Sequence, residues 1–285
     1  MYKFINILLQ IAQDNALGFP TLNQFLDWEK IQKFLIRYIC EKNQEKNKKF
    51  NILEALLLVG HNSFSIYDTT SNLRNIENSL RIIIPLLSKS DFLEIKNKLN
   101  NLGNTSFWDT ATELWFASKL KEKDFKIKFD FPLQDYRKGC VPSNADVGIV
   151  NNKNEPIWLF DCITPTLELP ECKDLKLEKG EFNEEPKKAI ECSVAIIKNK
   201  FNNKFLSKID YHPNANYGIF VALTKADDIS AHLGTVNLLN RNPIELNATE
   251  FQFHPKLKYA AVGRFQEREM QKIEFVELIS YKAKY

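Results

Sequence analysis

Two aspartates stand where a folded chain can least easily keep a charge. Asp146 lies in the run NADVGIV (Asn144 to Val150) and Asp161 in IWLFDCITP (Ile157 to Pro165), each otherwise apolar and of strand character. A carboxylate buried in a strand is costly unless it is ionised against a metal or paired with a cation. Alternate residues of a strand share a face, so Ile157, Leu159, Asp161 and Ile163 point one way and Trp158, Phe160, Cys162 and Thr164 the other. Asp146, Gly148 and Val150 likewise share a face. The Asn-rich segment Asn151 to Pro156 reads as the turn of a hairpin, which can bring Asp146 and Asp161 near each other at one end. Gly148, with no side chain, would leave room there for a ligand. A helix carrying Glu113 precedes both strands.

The elements around these residues divide the chain in two. Residues 1–103 read as helices only. PTLNQ offers Thr21 as N-cap and Gln24 as its capping-box partner, ahead of Phe25, Trp28, Ile31, Leu35 and Tyr38 at helical spacing. The charge run Glu41 to Lys49 reads as a solvated helix end and loop. ILEALLLVG stops at Gly60, NLRNIENSLRIIIPLL is ended or kinked by Pro85, and SDFLEIKNKLNNLG stops at Gly103. This part is expected to be a helical bundle serving recognition or a protein partner.

Residues 104–285 change pattern. SFWDTATELWFASKLKEK predicts a helix with Glu113, Phe116, Ala117 and Leu120 on one face. FKIKFDFPL alternates, placing Phe125, Ile127, Phe129 and Phe131 on one side. The carboxylate hairpin follows, then a charged loop from Leu167 to Glu185. EPKKAIECSVAIIKNKF predicts a helix begun at Pro186, with Ile190, Val194, Ile197 and Phe201 facing the core. YGIFVALT is a buried strand, DDISAHLGTVNLLN a helix, and Lys258 to Phe265 and Ile273 to Tyr281 two further strands. The expected fold class is an α/β sandwich behind an all-helical N-terminal domain.

A helix with Glu, then Asp on one strand and a second acid on the next, inside an αβββαβ core, resembles the PD-(D/E)XK nuclease superfamily, the restriction-endonuclease-like fold. The resemblance spans about Ser106 to Thr224 and does not explain the first hundred residues. It implies Asp146 and Asp161 as ligands of Mg²⁺ or Mn²⁺, the carbonyl of Cys162 as a backbone ligand and Glu113 as a supporting acid. The implied chemistry is metal-dependent hydrolysis of phosphodiester bonds in DNA or RNA, in which the ion stabilises charge on the phosphate and lowers the pKa of the attacking water. The motif's lysine falls on Ile163, which can supply neither charge nor hydrogen bond. Either another lysine substitutes, with Lys187 and Lys188 preferred and Lys126 and Lys128 next, or the chain is a catalytically silent relative that binds nucleic acid or a protein.

Other patterns weigh less. The triplet Glu171 to Lys173 has the motif's literal spacing but sits beside Pro170 with no flanking strand. Lys187, Lys188, Lys198, Lys200, Lys204 and Lys208 line the basic helix and its continuation, either as a phosphate-contacting stripe or as a solvated face. The net charge of +3 is too small to announce nucleic-acid binding, so any basic footprint must be local. The five cysteines are scattered without CxxC spacing and read as reduced. His61, His212, His232 and His254 lack metal-site spacing and read as surface or structural groups. No phosphate-binding glycine loop or nucleophile elbow is present. The N-terminus reads as an amphipathic helix rather than a signal peptide, and no apolar run approaches the ~20 residues of a membrane span. A soluble, cytoplasmic protein is expected.

Overall fold

The apolar periodicity of the first hundred residues does produce helices. A computed structural model describes residues 2–40, 51–59, 69–102, 107–134, 143–163, 186–223, 254–266 and 269–277. In it the helices are α1 (Tyr2–Ala16), α2 (Pro20–Asn23), α3 (Trp28–Cys40), α4 (Ile52–Leu57), α5 (Thr69–Ile83), α6 (Lys89–Leu99) and α7 (Phe107–Glu122). Pro85 ends α5, in a 3-10 turn at Ile84–Leu86. Capping boxes start two helices, Asn51 with Glu54 before α4 and Ser88 with Asp91 before α6.

The expected cap at Thr21 takes a different form. Pro20 opens the one-turn α2, whose amides at Thr21 and Leu22 donate to the carboxylate of Glu77 on α5, at 3.1 and 2.8 Å. Helix α3 has its own cap, Asp27, which accepts from the Lys30 amide at 3.1 Å. A buried carboxylate with two oxygens meets two unpaired amides and the positive end of the helix at once, which a hydroxyl could not.

Helix α7 was expected to bury one face. Instead Leu114, Trp115, Phe116, Ala117 and Leu120 are all at most 3% exposed, and Thr110, Thr112 and Ser118 are buried with them. It packs on α5 and α6, and Ser118 Oγ donates to Ser79 Oγ of α5 at 3.1 Å. A helix covered on most of its circumference is a central element rather than a surface one. The chain forms two compact units, Met1–Lys123 with Gln266–Met270, and Asp124–Phe265 with Gln271–Tyr285. Helix α7, read from sequence as part of the segment 104–285, is thereby grouped with the helices that precede it.

The second unit is mixed α/β. Its elements are β1 (Ile127–Pro132), β2 (Asn144–Val150), β3 (Pro156–Ile163), α8 (Pro186–Lys204), β4 (Asn216–Leu223), β5 (Leu257–Gln266) and β6 (Glu269–Glu277), and the six strands form one sheet in the order β1-β2-β3-β4-β5-β6. Strands β1, β2 and β3 are antiparallel, while β3, β4 and β5 run parallel. The β2–β3 turn forms as expected: Asn151 Oδ1 accepts from the amides of Lys153 and Glu155, and Asn154 adopts a left-handed φ of 63°. Helix α8 covers one face of the sheet, burying Ile197, Phe201 and Phe205 against Val150, Leu159, Tyr217 and Ile219. The expected loop Leu167 to Glu185 and the helix from Asp227 lie outside the described residues. Among those described, no helix is long and apolar enough to cross a membrane.

The capping of α2 by Glu77 is open to measurement. Burial pushes the Glu77 carboxyl up, but hydrogen bonds from Thr21 and Leu22 and the charge of Arg81 outweigh it and hold it below its ordinary value. A lowered folded-state pKa means that stability is present above the unfolded pKa and is lost as pH falls through the folded one. Glu77→Gln is expected to cost about 1–2 kcal/mol in urea unfolding near neutrality. The difference from wild type should shrink as the solution is acidified through the lowered folded-state pKa of Glu77.

Candidate active site of two carboxylates and two lysines

The hairpin register brings the two aspartates together. Val147 pairs with Phe160 and Gly148 with Leu159, and the same register continued by one residue sets Asp146 beside Asp161. In the parallel pairing with β4, Asp161 lies opposite Ile219. Asp161 therefore sits in the middle of the sheet, on the face that α8 covers, and is 0% exposed.

The charge it buries is met from α8. Lys200 and Lys204 are one helical turn apart, beside the core residue Phe201, so the packing that buries Phe201 delivers both ammonium groups to the sheet. Lys200 Nζ lies 3.0 Å from Asp161 Oδ2. Lys204 Nζ bridges the pair, 2.8 Å from Asp161 Oδ1 and 3.4 Å from Asp146 Oδ1. The Cys162 amide donates to Asp146 Oδ2 at 2.6 Å.

Electrostatics follow from this crowding. Burial is the main reason the Asp161 carboxyl is pushed up to about 6, and the neighbouring charge of Asp146 adds to it, against the pull of Lys200 and Lys204. Burial works against the charge of Lys204, but Asp146 and Asp161 outweigh it and hold the ammonium well above its usual range. Lys200 is raised for the same reason, chiefly by Asp161 against its own burial. Both Asp161 oxygens are fully enclosed, and each is met by one lysine ammonium. The attraction is one of charge at short range, with lone pairs left over.

Those lone pairs bear on a metal. Mg²⁺ and Mn²⁺ take hard oxygen ligands, and Mg²⁺ is commonly held by only one or two carboxylates, with water and phosphate completing the shell. Asp146 and Asp161 are of that type, and each Asp161 oxygen keeps a lone pair beyond the one its ammonium contact takes. Among the described residues no group of three or more His, Cys, Asp or Glu side chains is placed to hold a metal.

The remaining residues expected at the site fall as follows. The helix named as the source of a substitute lysine places Lys200 and Lys204 beside the aspartates, while the side chains of Lys187 and Lys188 lie outside the described residues. Lys126, just before β1, and Lys128, on it, are exposed, and the Lys128 ammonium lies 5.6 Å from the centre of the Phe131 ring. Ile163 packs against the core beneath α8. Glu113 belongs to the helical unit, where it accepts from Lys98 Nζ at 2.6 Å. Cys162 is engaged with the site through its amide, and the residue is half-buried. The triplet Glu171 to Lys173 lies outside the described residues. His212 and His254 are structural, the first bonded to the Pro132 carbonyl at 2.9 Å and the second stacked on Phe201.

The space beside Gly148 is not left for a ligand. A Cβ there would lie 3.1 Å from the Phe131 ring, so the ring occupies it. The cause is local backbone: Asp130 has a left-handed φ of 43°, which breaks the alternation of β1 and lets Phe131 join the cluster under α8 instead of following Phe129. The signal for Lys200 and Lys204 was present as lysines four apart on either side of a core phenylalanine, but it is shared by any solvated helix.

Removing one member of a buried ion cluster leaves the others uncompensated. Lys204→Met is expected to destabilise the protein by about 3 kcal/mol near pH 7.5, read by urea unfolding. Asp161 has a raised folded-state pKa, so the folded state holds its proton more tightly than the unfolded one and gains stability as pH falls through about 6. The deficit of Lys204→Met should accordingly shrink between about pH 7.5 and 5. A deficit that is constant over that interval would mean that Asp161 is not the group left uncompensated. Compared with protein-family models, with curated proteins and with solved structures, the chain matches none.

Proposed function

We propose that the centre of Asp146, Asp161, Lys200 and Lys204 is the site of a metal-dependent nuclease-like protein that hydrolyses phosphodiester bonds of DNA or RNA. The observation that carries this reading is the pair of α8 ammonium groups on two adjacent strand carboxylates. These ammonium groups would supply the positive charge that the PD-(D/E)XK resemblance lacks at Ile163. Among the described residues α7, β1, β2, β3, α8 and β4 follow one another in the αβββαβ order, with α7 grouped in the helical unit.

In this reading Asp146 and Asp161 would hold Mg²⁺ or Mn²⁺, with the backbone at Cys162 alongside. When bound, such an ion neutralises charge on the phosphate and makes water a stronger nucleophile. The chain's own contribution is positioning and charge. Lys204, bridging both aspartates, offsets their mutual repulsion and holds the carboxylates together. Lys200, the more exposed of the two at 34%, can turn one of its three protons toward a phosphate oxygen or the attacking water. The wall of Ile197 and Phe201 keeps the buried side of Asp161 dry, which strengthens each of these contacts. Glu113 is paired with Lys98 within the helical unit. The helical unit serves recognition of substrate or of a protein partner.

One observation favours a second reading, a catalytically silent relative that binds nucleic acid or a protein. Lys200 and Lys204 already meet both oxygens of Asp161, and the Cys162 amide meets Asp146, so the quartet can close on itself as a structural lock.

Incubation of supercoiled DNA and of labelled RNA with Mg²⁺ or Mn²⁺ separates the two. Cleavage by wild type that is lost in Asp146→Ala and Asp161→Ala, and falls by about 10²-fold or more in Lys200→Met, is the expected result. A wild type that neither cleaves nor binds either metal in the millimolar range overturns the catalytic reading in favour of the silent one.

A further inference from the structure

We infer that Lys208 is a phosphate-anchoring residue, a positioning group that holds the nucleic-acid backbone beside the Asp146–Asp161 centre. The inference rests on the nucleic-acid reading above but not on catalysis.

Three lysines follow one another at intervals of four, Lys200, Lys204 and Lys208, the first two in α8 and the third in the 3-10 turn Leu206–Tyr211 that continues it. The first two are committed to carboxylates. The third is not. Its side chain folds back so that Nζ donates to the Lys204 carbonyl at 2.9 Å, and among the described residues no carboxylate stands at ion-pair distance from it. Asp210, two residues away, is exposed and makes no ion pair with it among those residues.

The local charges do not cancel. Two aspartates face three ammonium groups, and the surplus cation is the one at the outer end of the row. Burial and the neighbouring Lys204 oppose the Lys208 ammonium and hold it below its usual pKa, against the weaker pull of Asp161. An anion placed against Lys204 and Lys208 relieves that opposition, and a bound divalent ion at the aspartates would increase the demand for one. The carbonyl contact uses one of the three ammonium protons and leaves two for phosphate oxygens. A lysine serving only to cap the end of α8 would need no such surplus, and would act on stability alone.

The test measures binding without cleavage. Fluorescein-labelled oligonucleotide, single-stranded and duplex, is titrated with full-length protein in chelator over a salt series, with the thermal midpoint of each variant measured alongside. Lys208→Gln is expected to weaken binding several-fold near about 0.1 M salt and to make the slope of log affinity on log salt shallower by about 1. Lys208→Arg is expected to keep both at the wild-type level. Lys208→Met, which preserves the aliphatic stem, is the substitute if the glutamine variant is unstable. Wild-type affinity and slope in a folded charge-removing variant overturn the assignment, as does a wild type that binds neither oligonucleotide. Salt-dependent binding that requires Lys208 in a protein that cleaves nothing keeps the assignment and removes only the catalytic reading; cleavage with no role for Lys208 does the reverse.

Discussion

Burying the charge of Asp161 is the constraint on which the α/β unit turns. A carboxylate at 0% exposure in a central strand is tolerable only with cations at contact distance, and β3 and its neighbours offer none. They come from α8, so the helix must be docked on the sheet for the strand to be stable as it is. Docking is secured by apolar contacts of Ile197, Phe201 and Phe205 with Leu159, Tyr217 and Ile219. The ion cluster and the apolar core are thus one arrangement, with lysines and phenylalanines alternating along the same helix.

Clusters of this kind are a poor way to gain stability. An apolar group of similar volume at Asp161, with apolar partners on α8, would be expected to hold the same elements at least as firmly. The centre is better explained by what it can do than by what it holds, which is the physical ground for reading it as a site. Its surroundings are correspondingly rigid. Phe131 fills the space over Gly148 on the α8 face, and on Gly218 a Cβ would meet the Phe160 ring at 2.4 Å. Gly148 and Gly218 leave room for rings to pack, and the left-handed Asp130 is what turns Phe131 into place.

The helical unit shows the same dependence on distant partners in a milder form. A one-turn helix at Pro20–Asn23 has little to stabilise it locally, and the carboxylate that completes it stands on α5, more than fifty positions along the chain. Asn100 works similarly, accepting from the Asp27 amide at 2.7 Å and donating to the Phe25 carbonyl at 2.7 Å. Buried polar side chains here close the backbone of turns between helices, and this is why Glu77 and Asn100 are buried although polar.

Much of the architecture was legible because it rests on local pattern. The strand NADVGIV, the Asn-rich turn, the helix opening at Pro186 and the stop at Pro85 are written in periodicity, in turn chemistry and in the geometry of proline, all of which act within a few residues. The pairing of Asp146 with Asp161 was legible too, since a short hairpin leaves few registers. What the tertiary structure alone decided was every relation between distant segments: that Lys200 and Lys204 meet the aspartates, that Glu77 caps α2, that α7 is enclosed, and that Phe131 crosses to the α8 face. A lysine four residues from another looks the same on a solvated helix as on one docked over a buried carboxylate. Its meaning is set by which face the apolar residues turn inward, and by the charge that waits there.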